Sequence, residues 1–173
     1  RVNNYPYADV YGNFGYLFKG RVPLRSETNG WGPIPGWTGE HEWDGFIPNS
    51  QLPKSKNPDS GWVVTCNQRV VDQGYQHYLT HMYGTDYRAQ RVRGRIEDMA
   101  YRKVTVADMS AIHADTNSIP AIILSAEIVK LPNLAGIYCS AAKLLRTWDH
   151  DLKEDSVAAA IYETSTREIS KLL

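Results

Sequence analysis

The chain of 173 residues is 42% hydrophobic and 22% charged, ordinary values for a globular protein with a sizeable core. Its 19 basic and 19 acidic side chains cancel, which excludes a net field that would draw it to nucleic acid or to an anionic membrane. No apolar run approaches the roughly 20 residues of a membrane span, and Cys66 and Cys139, far apart in sequence, suit neither a disulfide framework nor a zinc site.

The chain opens on Arg1 rather than Met and carries no signal-peptide pattern, so it reads as processed, trimmed or excised. Residues 5–9 and 14–20 flank the turn-like Val10-Tyr11-Gly12-Asn13 and predict a hairpin. Nine of the 13 glycines and seven of the nine prolines fall in residues 1–61. Residues 21–60 therefore read as a long aromatic loop with little periodicity, the kind that is functional or lies over a sheet. Residues 61–66 (GWVVTC) are a short apolar run rich in β-formers and predict a buried strand.

Helical spacing takes over beyond this point. Val92, Ile96, Met99 and Ala100 mark one amphipathic helix. Thr105 with Asp108 forms a capping-box pattern that opens a second, running through about Ala114. Ser118 caps a third, apolar and buried, that ends at Pro132; Leu134, Ile137, Ala141, Leu144 and Leu145 mark a fourth, closing near Trp148. Asp155 or Ser156 caps the last, with Val157, Ile161, Ile169 and Leu172 on its inward face. Strands followed by helices without alternation mean α+β, divided into a strand and loop part at residues 1–82 and a helical lobe at 83–173.

The residues taken alone offer few sharp sites. His77 and His81, four apart, fit one helix face, but no glutamate or third ligand accompanies them as a metal pattern needs. Asp9, Asp44, Asp86 and Asp115 are acid–base candidates that nothing in sequence pairs. Trp31, Trp37, Trp43 and Trp62 suit either a carbohydrate platform or packing of the loop onto the sheet. Arg88, Arg91, Arg93 and Arg95 read as a solvated helix face carrying one functional arginine. Asn67 directly follows the predicted strand, a rigid place from which a side-chain amide can donate to a developing oxyanion; asparagines there also simply start turns.

A set of motifs goes further. Tyr7-Ala8-Asp9-Val10-Tyr11-Gly12-Asn13-Phe14-Gly15-Tyr16 resembles the "YADxxGNIGY" segment of the penicillin acylase family. Pro33-Ile34-Pro35-Gly36 and Trp43-Asp44-Gly45-Phe46-Ile47-Pro48 resemble its proline–tryptophan loop. Asn57-Pro58-Asp59-Ser60-Gly61-Trp62-Val63 resembles "NPxSGY(I/V)", which leads to the family's oxyanion asparagine, here Asn67. Tyr87-Arg88-Ala89-Gln90-Arg91-Val92 resembles "YRAxRI", and Trp148-Asp149 the start of a later "WDG", with His150 in place of its glycine. Order and spacing hold across essentially the whole chain.

The resemblance implies part of the antiparallel sheet of an N-terminal-nucleophile hydrolase core, followed by a helical lobe. It implies an enzyme cut from one precursor that hydrolyses linear amides of β-lactam nuclei, acyl-homoserine lactones or similar amines. The first residue of the β chain (Ser, Thr or Cys) attacks and its own α-amino group serves as base. Asn67 is then the side-chain oxyanion donor, and Arg88 the residue that orients Asn67 and the substrate. Arg1 is no nucleophile, so this segment alone is expected to be inactive. Its partners are the small amide substrate, the α chain and the N-terminal β segment, with no nucleic acid and no membrane. The resemblance also implies a periplasmic or secreted location. Some relatives hold a structural calcium through an aspartate after the oxyanion asparagine; Gln76-His77-Tyr78 stands there instead, so no metal and no other cofactor is expected. The rival readings are a non-catalytic binding module using the tryptophan loop and a structural helical domain.

Overall fold

The computed structural model describes residues 3–27 and 29–173. The expectation that Arg1 is no nucleophile falls on a residue outside them. The fold is α+β, with three short strands and five α-helices among the described residues, and the chain separates into two compact units, Arg1–Arg93 and Gly94–Leu173.

The first unit begins with the expected hairpin. β1 (Asn3–Ala8) and β2 (Phe14–Lys19) pair antiparallel with Ala8 opposite Phe14. Asp9 closes the turn: one carboxylate oxygen accepts the N–H groups of Tyr11 and Asn13, and the other accepts Asn13 Nδ2. Asn13 Oδ1 accepts Asn57 Nδ2, and Asn57 Oδ1 accepts the Phe14 N–H, so a residue 43 positions away clamps the hairpin end. β3 (Lys54–Lys56) pairs antiparallel with the other edge of β2. Gly15 permits that pairing, because a Cβ there would sit 2.0 Å from the Ser55 carbonyl oxygen.

The loop between them has order of its own. Leu24 N–H donates to Gly45, Asp44 N–H to Leu24 and Ile47 N–H to Val22, folding residues 22–47 back on themselves. Val22, Ile47 and Leu52 pack with Leu79 into the core of this unit. Aliphatic side chains take the buried seats, and these tryptophans do not: Trp31 is 71%, Trp37 88% and Trp43 57% exposed, with Trp43 edge-on to Phe46. Trp31, Trp37 and Trp43 are thus largely exposed, whereas Trp62 is half-buried. Residues 61–66 also depart from expectation. They are half-buried over Trp62–Cys66 yet form no ladder among the described residues, because no neighbouring strand offers them backbone partners.

The division between units falls inside α1 (Tyr87–Glu97), which tightens past its end into i→i−3 turns at Met99 and Ala100. α2 (Val106–His113) opens on the predicted capping box, with both reciprocal bonds made between Thr105 and Asp108. α3 (Ile119–Ile128) is capped by Ser118 and stops short of Pro132 in two further i→i−3 turns. α4 (Ile137–Arg146) and α5 (Val157–Leu172, capped by Ser156) complete the lobe. None of these helices is long and apolar enough to cross a membrane.

The second core joins Ala121, Leu145, Trp148, Ala158, Ala159 and Tyr162. Two expectations change here. α3 buries only the stripe through Ala121 and Ser125, leaving Ile122 and Ile123 open to solvent. α5 turns Ala158, Ala159 and Tyr162 inward, and of the expected face Ile161 packs against the core while Val157 is 63% and Leu172 86% exposed. The tyrosine ring lies 5.8 Å from that of Trp148, and the small Ala158 and Ala159 one turn earlier let the helix approach the core closely.

Candidate functional site

Asn67 and Arg88 are brought together. Arg88 projects from the first turn of α1, and its Nη2 donates at 2.9 Å both to the Cys66 carbonyl and to Asn67 Oδ1. Guanidinium has donors and no acceptor, so the atom facing it must be the amide oxygen. The orientation of the Asn67 amide is thereby settled by chemistry. Its Nδ2 has no acceptor among the described residues and is available to donate. Asn67 is exposed and sits at φ +68°, a left-handed conformation that asparagine tolerates better than most residues.

Three further contacts hold this strained position. The Gly84 N–H donates to the Asn67 carbonyl at 2.8 Å. A Cβ on Gly84 would stand 3.2 Å from that oxygen and 3.3 Å from Asn67 Cβ, so the two backbone segments approach as closely as they do because residue 84 has no side chain. The Gln68 amide works at both ends: Oε1 accepts the Cys66 N–H at 2.6 Å, and Nε2 donates to the Val64 carbonyl at 2.8 Å. A half-open cleft of about 490 Å³ adjoins, lined in part by Trp62, Val64, Gln68, Arg69 and Tyr83. Burial pushes the Tyr83 phenol up, with the nearby Arg69 guanidinium pulling the other way.

Neither Gln68 nor Gly84 was singled out by sequence. The available signal was local: an amide two residues beyond Cys66 can bond back to that backbone. The remaining candidates are placed elsewhere. His77 and His81 share no helix face, since residues 68–86 contain no helix; His77 Nε2 meets Gln51 Oε1 at 2.7 Å, and His81 stacks on Trp31 with centroids 4.5 Å apart. Asp9 serves its turn, where the Asn13 amide above all holds its carboxyl below the usual range. Asp86 accepts Gln90 Nε2, and Asp115 pairs with Arg95. Both cysteines are free thiols, half-buried rather than fully enclosed. No cluster of three or more His, Cys, Asp or Glu among the described residues is arranged to hold a metal ion.

Comparison with known proteins places this geometry in context. Residues 1–173 match the family model described as penicillin amidase. The chain is 39% identical over 171 residues to penicillin acylase 2 proenzyme of Pseudomonas sp. strain SE83, covering 96% of this chain and 21% of that protein. It is 40% identical over 91 residues to acyl-homoserine lactone acylase QuiP of Pseudomonas fluorescens, covering 53% of this chain and 11% of the relative. A crystal structure of thermostable penicillin G acylase from Alcaligenes faecalis superposes with a TM-score of 0.62 at 22% identity, over 88% of this chain and 28% of that one. The chain thus spans about a fifth of the length of the first of these relatives.

Proposed function

The chain belongs to the penicillin amidase family, and from that premise we propose that it is a segment of an acylase that cleaves a linear amide through an acyl-enzyme. In this reading a nucleophile supplied from outside these residues attacks the amide carbonyl. Asn67 Nδ2 donates to the oxygen as it becomes an oxyanion, the amine departs, and water then releases the acid. Arg88 is a positioning residue: it takes up Asn67 Oδ1 so that the amide presents its N–H to the reacting atom. The observation that carries the proposal is the 2.9 Å bond from Arg88 Nη2 to Asn67 Oδ1. The similarity to a penicillin acylase and to an acyl-homoserine lactone acylase supports an acylated amine as substrate, either a β-lactam nucleus or a homoserine lactone. The remaining segments of a precursor are its partners, the location is periplasmic or secreted, and this segment uses no cofactor.

The test is Asn67→Ala in the complete enzyme containing this segment. The kcat should fall by roughly 10²–10³-fold with processing and folding intact, as removal of one oxyanion donor does elsewhere. Near-normal kinetics would assign the donor to another residue. Turnover of phenylacetyl or fatty-acyl amides by the purified 173-residue chain would overturn the view that the nucleophile lies outside it.

A further inference from the structure

The backbone that carries Asn67 runs through residues with no ladder to hold them, and its last residue adopts a left-handed conformation on the surface. Such a position persists only where its surroundings over-determine it. The polar groups around it are met one by one: the Cys66 carbonyl by Arg88, the Asn67 carbonyl by Gly84, and the Cys66 N–H and Val64 carbonyl by the single amide of Gln68. Gln68 therefore spans the turn from inside, bonding residues 64 and 66 at once. An amide is needed for this, because one end must accept and the other donate.

We infer that Gln68 is a positioning residue for the reaction, holding the Cys66–Asn67 peptide in the orientation from which Asn67 Nδ2 reaches the oxyanion. This rests on the reading of Asn67 as the oxyanion donor. In this reading both ends of the Gln68 amide are taken up by the backbone of Val64 and Cys66, so it acts through Asn67. Two near-isosteric changes dissect it. Gln68→Glu keeps an acceptor for the Cys66 N–H and sets a carboxylate oxygen against the Val64 carbonyl; Gln68→Met removes both bonds at similar volume.

The experiment is a double-mutant cycle in the complete enzyme with Asn67→Ala, Gln68→Met, Gln68→Glu and the two doubles, with kcat and KM measured for each. In the Asn67 background, both Gln68 variants should lower kcat by about tenfold or more with KM little changed, since misplacement of about 1 Å can cost on the order of 10²-fold. In the Asn67→Ala background the same changes should have no further effect, because the group they position is gone. An equal loss in both backgrounds, or wild-type kcat for Gln68→Met, would overturn the role of Gln68 and leave Asn67 untouched. Wild-type kcat for Asn67→Ala itself would remove the underlying reading, and this inference with it. Rescue is built into the cycle: a merely structural defect would persist when Asn67 is absent.

Discussion

Arg88 presents one nitrogen, Nη2, to two oxygens at once, both at 2.9 Å. A lysine in its place ends about one bond short and carries a compact ammonium rather than a planar fork. In the complete enzyme Arg88→Lys should therefore lower kcat by on the order of 10- to 10²-fold, with the amide of Asn67 freed to rotate. Unchanged kcat in steady-state assays would show that the contact is incidental. His150 makes a second point at this scale. It holds φ +62° and offers its carbonyl to the N–H of Ser118, the residue that caps α3. The conformation explains why a "WDG" pattern has glycine there, since a side chain in this region costs roughly 1–2 kcal/mol. His150→Gly should leave the melting temperature unchanged or raise it. A β-branched His150→Val should lower stability by about 1–2 kcal/mol or more. Equal melting of the two variants would contradict the backbone geometry.

At the scale of the element, α2 is the clearest case of a helix set by its first turn. Its eight residues are all at least partly exposed, so packing contributes little and the cap matters more. Arg102 grips both oxygens of Asp108, which also accepts the Thr105 N–H and hydroxyl. The guanidinium first, then Thr105, holds the Asp108 carboxyl far below the usual carboxylate range. A folded-state pKa depressed in this way gives stability that is fully present above the unfolded value of about 3.9 and lost as pH falls through the folded one. Asp108→Asn should therefore melt below the parent at pH 7, with the gap narrowing towards pH 2. Thermal unfolding followed by circular dichroism at the two pH values checks this; a constant gap would mean the carboxylate charge is not what matters.

At the scale of the whole molecule, each unit has a hydrophobic core of its own, around Val22, Ile47, Leu52 and Leu79 in one and around Leu145 in the other. Leu145 is 2% exposed and packs among Ala121, Trp148 and Tyr162. Leu145→Ala should destabilise the helical unit by about 2–5 kcal/mol, the sum of lost transfer energy and the cavity left behind. Hydrogen exchange on α3, α4 and α5 reads it directly; a loss of protection below about 1 kcal/mol would mean that the lobe collapses to fill the space.

Local signals were readable in the sequence because they depend on neighbours along the chain. Thr105 with Asp108, Ser118 and, of the pair Asp155 and Ser156, the serine each satisfy backbone donors within three residues, so residue types and spacing located these helix starts, as Val10-Tyr11-Gly12-Asn13 located the turn. The motifs around Asn67 and Arg88 likewise sufficed to propose both residues for one site. Their meeting was another matter. Twenty-one residues separate them, and only the fold brings Nη2 to Oδ1 and settles which end of the amide is free. The inward face of α5 and the missing ladder at residues 61–66 were decided the same way. Which stripe of a helix is buried depends on the surface it meets, and a strand exists only where another backbone accepts its hydrogen bonds. Apolar residue type records the capacity to be buried, and tertiary contact alone decides whether it is used.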